Sequence, residues 1–242
     1  MNISDFVFMV FADEPFTSLG VPEIDIPIPT SVAAAMSKAA TSGHDVPLDL
    51  PTLHDFVTVC CRQHPELATR CLPARCCLAF LFGRQAVNAC GQMLNSGRDL
   101  NDHSFITEYS AQVSRAHEHL LLACRLSDEW AKAPLFLKHN CHWYMARVYM
   151  LAHSEEDAII ELEKVITICG STDLVPDVWL ALAGILSSKN QEDRATHLLE
   201  DYVLRTNTIF PERAIEFLDY GKSSAYSQQY PFIQRYFEGI QK

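Results

Sequence analysis

From Pro51 almost to its last residue the sequence spaces its apolar residues at helical intervals, and no strand-like alternation competes with that period. Leu53, Phe56, Val57, Cys60 and Cys61 form one stripe after Pro51. Leu78, Leu81, Phe82, Ala89, Met93 and Leu94 form a second, following Pro73 and closing near Gly97. Ile106, Tyr109, Val113, Ala116, Leu120 and Cys124 form a third, on a long helix expected to begin near Asp102 or Ser104. Turn signals separate them at Pro65, Pro73, Asn95-Ser96-Gly97 and Pro134. A chain of 242 residues that is 48% hydrophobic has enough apolar mass for a core. The expected fold class is all-α.

Residues 1–50 read differently. Seven acids, one base and five prolines predict a mostly irregular acidic arm, with one short helix over Ser31–Ala40. The helical domain is expected to span 51–242. The net charge of −11 disfavours direct binding of nucleic acid through a broad basic face, and attachment to an anionic membrane surface. The apolar run Phe6–Ala12 has no base before it and is flanked by Asp5, Asp13 and Glu14, so it lacks the polarity of a secretory signal. It is also too short to cross a bilayer, and no membrane insertion is expected. Nine cysteines, an odd number, include the neighbours Cys60-Cys61 and Cys76-Cys77. Adjacent helical residues point about 100° apart, which suits buried thiols better than bridges. Cytoplasm, or nucleus, is the expected compartment.

The second half repeats itself. His142, Met145, Ala146 and Tyr149 are followed by Ala158 and Leu162; 37 residues on, Trp179, Leu182, Ala183 and Leu186 are followed by Ala195 and Leu199. This spacing resembles the tetratricopeptide repeat, with alanine at both places where that family most often has glycine. The resemblance covers about residues 139–209, in units of about 139–175 and 176–209. It implies antiparallel helix pairs, arrayed as a solenoid, whose close crossings are Ala146 with Ala158 and Ala183 with Ala195. Ser154 with Asp157, and Asn190 with Asp193, place a capping residue three before an acid at the start of each second helix. Residues 211–242 are expected to supply terminal capping helices: Phe232, Ile233, Tyr236, Phe237 and Ile240 form an apolar side, and Arg235, Glu238 and Lys242 a polar one.

The same register implies which residues of each first helix face a concave groove: Asn140, Trp143, Arg147 and Met150 in one unit, then Asp177, Leu180 and Gly184 in the next. Trp143 and Arg147, one turn apart, are expected to form a ledge for a peptide. The arm carries Asp13-Glu14-Pro15-Phe16-Thr17-Ser18-Leu19, which resembles the short motif that docks on autophagy-related ubiquitin-like modifiers. Catalytic signatures fail on spacing. His117-Glu118-His119 puts its histidines on different sides of a helix, and Gly221-Lys222-Ser223 has Glu216 where a phosphate loop opens with glycine. Cys60, Cys61, His64, Cys71, Cys76 and Cys77 are metal-ligand types at no familiar spacing. The expectation is a non-catalytic adaptor or scaffold subunit with protein partners in a larger assembly and no cofactor. The rivals are a helical enzyme or metal-dependent domain built on the cysteine and histidine cluster at 60–77, and a helical module for a small ligand or lipid.

Overall fold

The computed structural model describes residues 68–131, 133–169, 175–209 and 211–239, and all the regular structure among them is helical. The acidic arm, its docking-like motif and the Pro51 stripe lie outside the described residues. The chain divides after Ala152 into two units. That division falls between the two helices of segment 139–175.

The first unit contains α1 (Ala68–Leu94), α2 (His103–Glu129) and α3 (Leu135–Leu151), and each of the three packs against the other two. The second stripe expected from the sequence is part of α1, but that helix begins before Pro73 and carries the proline in its second turn. Proline there removes one backbone donor near a helix end, where few bonds are lost. Asp102 caps α2, accepting from the Ser104 amide at 3.0 Å and from its hydroxyl at 2.7 Å. The hydroxyl, then the amide, holds the Asp102 carboxyl below its usual range. Ala116, Leu120 and Cys124 are buried as the third stripe requires, but its first residue, Ile106, is exposed and Phe105 is buried instead. The ring of Phe105 stacks on Tyr109 and lies under Arg98, and these contacts rotate the start of the buried face by one residue. A Cβ added at Gly83 of α1 would overlap the Leu120 side chain, so the glycine lets that fully buried leucine lie against the α1 backbone.

The second unit contains α4 (Glu155–Cys169), α5 (Pro176–Ser188), α6 (Glu192–Ile209), α7 (Pro211–Ser223), α8 (Ala225–Gln229) and α9 (Pro231–Gly239). From α4 to α7 each helix packs on the next; α7, α8 and α9 then also pack on α5. Prolines start α5, α7 and α9, where a fixed φ suits the first turn and the missing donor has no partner to lose. Ser154 precedes α4 and its hydroxyl donates to Asp157 at 2.6 Å. Asn190 does not cap α6 in the same way. Its φ of 59° places it in the left-handed region, where its amide donates to Ser187 O while the next amide, of Gln191, donates to Leu186 O. That pair of bonds closes the end of α5, a role asparagine tolerates better than most residues.

Inside this unit rings pack in sequence: Trp179 on Tyr202 at 5.3 Å between centroids, Tyr202 on Phe217 at 4.0 Å, and Phe217 on Phe237 at 5.4 Å. The chain of rings joins α5, α6, α7 and α9. Phe237 also lies where a Cβ at Gly221 would be, so α7 and α9 approach closely at that point. Phe232, Ile233 and Phe237 are buried while Arg235 and Glu238 are exposed, the two sides expected for the terminal helix.

Candidate partner-binding face

The residues assigned to a groove fall on α3 and α5, and the structure treats the two helices alike: most of each is buried. On α3 the buried set runs through Phe136, Leu137 and His139 to Ala146, and on α5 every residue from Val178 to Leu186 is buried. A helix apolar on all sides belongs in a core. Asn140 and Leu180 are fully buried and Trp143 is 7% exposed, so none of the three lines an open surface. Arg147, Met150 and Asp177 are half-buried and reach solvent in part.

The expected ledge of Trp143 and Arg147 is corrected accordingly. The guanidinium of Arg147 sits 4.8 Å from the ring centroid of Tyr144, its neighbour on the next face, and Tyr144 in turn meets Phe80 of α1 edge-on at 5.2 Å. Asn140 donates from Nδ2 to Phe136 O at 3.0 Å, while its Oδ1 is buried with no donor. A buried acceptor left without a donor carries its full desolvation cost.

On α5 two of the three groove positions, Asp177 and Gly184, meet residues from the C-terminal part of the same unit. The Tyr220 hydroxyl of α7 donates to Asp177. The Tyr230 ring lies where a Cβ on Gly184 would be. Burial first, then the Asp177 carboxylate, pushes the Tyr220 phenol up, and burial followed by Glu155 pushes up Tyr230. Sequence reasoning expected an open groove here and missed this cover. The signal that could have found it was Gly184, an interior glycine costing a helix about 1 kcal/mol relative to alanine unless something needs the space.

The residues considered for metal or catalysis fall as follows. His117 meets the Tyr149 ring at 5.7 Å and His119 stacks on Phe82 at 5.1 Å, so the two diverge as their spacing predicts. Cys76 and Cys77 are completely buried, and the Cys76 thiol donates to Ala123 O at 3.4 Å. The described cysteines are all buried thiols outside any disulfide. Burial, then the adjacent Cys76, raises the Cys77 thiol well above its usual range, and burial likewise raises Cys141. These are the conditions of an inert core thiol rather than a nucleophile. Cys60, Cys61 and His64 lie outside the described residues, as does the side chain of Cys71. No helix among the described residues is long and apolar enough to cross a membrane.

Set against known proteins, the chain matches no family model, no curated protein and no solved structure.

Proposed function

We propose that this protein is a non-catalytic adaptor or scaffold subunit built from helix pairs of the tetratricopeptide type, about 139–175 and 176–209, that binds protein partners in a larger intracellular assembly. The observation that carries this reading is the α5/α6 pair. Ala183 and Ala195 are completely buried on two helices that pack together, and so is Leu199. Small residues at a crossing let helices approach closely, which is the physical content of the 37-residue spacing. Of the groove positions assigned to α3, Arg147, which lies over the Tyr144 ring, and Met150 reach solvent in part and offer a cationic and an apolar contact, and interface energy concentrates in such anchors.

The test is affinity capture from the native cell, comparing the full wild-type chain with Arg147→Glu. Trp143 is unsuitable for substitution because its burial would confound binding with folding. Loss of at least one stoichiometric partner, with a melting curve within a few degrees of wild type, supports the reading. An unchanged partner list with an unchanged melt removes α3 from the binding surface.

A further inference from the structure

The two most exposed large apolar side chains among the described residues are Leu204, at 67%, and Ile215, at 66%, on α6 and α7. Exposed apolar residues scattered singly need no explanation, but these two fall together. The chain turns back between Ile209 and Pro211, α6 and α7 pack on each other, and Tyr202 meets Phe217 at 4.0 Å between ring centroids. That ring contact fixes the level of the two helices. Leu204 is two residues beyond Tyr202 and Ile215 two before Phe217, so both stand at one level of the hairpin. Two positions carry a side chain about 200° around a helix, which turns both away from the buried rings and into solvent.

Acids bracket the pair along both helices. Glu200 lies one turn before Leu204, Asp219 one turn after Ile215 and Glu212 about one turn before it, while Glu216 is its neighbour; all four are exposed. Residues 200–219 hold five acids and two bases, and 153–242 as a whole hold fifteen and eight. Of the two bases, Arg205 is paired with Asp201 at 2.8 Å. A surface of this sign repels nucleic acid, anionic lipid and a second copy of itself, and it draws a cationic partner.

We propose that Leu204 and Ile215 are the apolar centre of a docking surface on the outer side of α6 and α7, and that its occupant is a basic amphipathic helix of a partner protein. That helix places a large apolar side chain over the pair and a lysine or arginine one turn to either side, where Glu200, Asp219 and Glu212 stand. Two packed helices offer a seam into which the apolar stripe of a third fits, and the acids set its sign. The inference rests on the adaptor reading only for the partner's being a protein, and it uses neither α3 nor the face of α5.

The experiment is calorimetric titration of the full chain with a synthetic helical peptide that carries two leucines on one face and a lysine one turn before and after them. Wild type should bind it saturably, more weakly as salt is raised. Leu204→Gln with Ile215→Gln should lower affinity by roughly tenfold or more, with a melting curve within a few degrees of wild type because both side chains are exposed. Glu212→Gln with Glu216→Gln should weaken binding and flatten its salt dependence. A control peptide with alanine for the leucines should bind roughly tenfold more weakly, and one with glutamate for the lysines should not bind.

No saturable binding at about 1 mM peptide would overturn the proposal, as would equal binding by the Leu204→Gln and Ile215→Gln double variant or equal binding of the glutamate peptide. A wild-type chain that sediments as a dimer, and a double variant that sediments as a monomer, would overturn it in favour of a second copy. Should the double variant not fold, the leucine and alanine peptides compared on wild type still decide the matter. The titration contains no cellular partner and leaves α3 untouched, so its failure is separable from that of the Arg147→Glu capture experiment.

Discussion

The first unit buries five of the described cysteines, Cys76, Cys77, Cys90, Cys124 and Cys141, while the second buries one, Cys169, and is joined through the rings of Trp179, Tyr202, Phe217 and Phe237. Helix length differs in parallel. The α1 and α2 helices have 27 residues each, whereas α5 and α7 have 13, and α9 has nine. Thiols are small hydrophobes that let long helices lie close over many turns. Short helices have few turns over which to accumulate contacts, and large rings, each burying about 150–250 Å², compensate per residue. Glycine follows the same division: Gly83 admits a leucine, and Gly184 and Gly221 admit rings.

The strongest way to break this contrast is Phe217→Ala. Phe217 is 1% exposed and lies between Tyr202 and Phe237, so its loss should cost about 3–5 kcal/mol and unfold α5–α9 at lower denaturant than α1–α3. Urea titration followed by circular dichroism, with hydrogen exchange to locate the loss, reads this directly. A cost below about 1 kcal/mol would mean that the rings fill space without organising the unit.

A smaller effect is expected from Ala158→Leu and Ala195→Leu. Both alanines are completely buried, and overpacking should cost about 1–3 kcal/mol each, seen as a lower thermal midpoint. Ala116→Leu, at an equally buried position of α2, tests whether the first unit is as tightly packed. An unchanged midpoint for both second-unit variants would refute the repeat register.

Alkaline pH should separate the units further. Burial pushes Tyr202 and Tyr236 up to about 12, with smaller contributions from neighbouring charges, and Tyr220 and Tyr230 shift the same way. Below the ordinary phenol value near 10 these groups are neutral in both states and stability is unaffected. Above it the unfolded chain loses its protons first, so the folded state binds more protons and stability falls until pH passes about 12. In the first unit Tyr109 is raised as well, by burial first. Hydrogen exchange at stepped alkaline pH should show protection failing in the second unit before the first; simultaneous loss would contradict the contrast. The smallest effect belongs to the surface. Arg194→Ala removes the ion pair with Glu163, whose side chains are 54% and 44% exposed, and should change stability by less than about 1 kcal/mol. A larger loss would show that ion pairs share the work assigned to the rings.

Much of the helical pattern was legible in advance, because amphipathic stripes and proline starts are local signals. The Ser154–Asp157 pairing and the two-sided terminal helix were read directly from spacing. Asn190 was read as a cap because the residue type suits either role, and which one it takes depends on backbone dihedrals that no pattern records. The groove residues were harder. Trp143 and Leu180 lie on helices apolar on nearly every side, so periodicity had no polar face from which to choose a direction. The tract after Pro211 failed the repeat template for lack of a downstream alanine. The structure makes a close approach there with the sizes exchanged: Gly221 on the first helix meets Phe237 on the last.

Residue order alone therefore sufficed for the helical character of the described residues, which follows from the chemistry of neighbours within a few turns, and the 37-residue spacing sufficed for the buried state of Ala158 and Ala195. That Phe105 rather than Ile106 turns inward, that Arg147 rests on Tyr144, and that Tyr220 and Tyr230 cover Asp177 and Gly184 depended on the folded arrangement. The covering pairs are separated by 43 and 46 positions along the chain, a distance at which spacing carries no information and only the packing of one helix on another brings groups together.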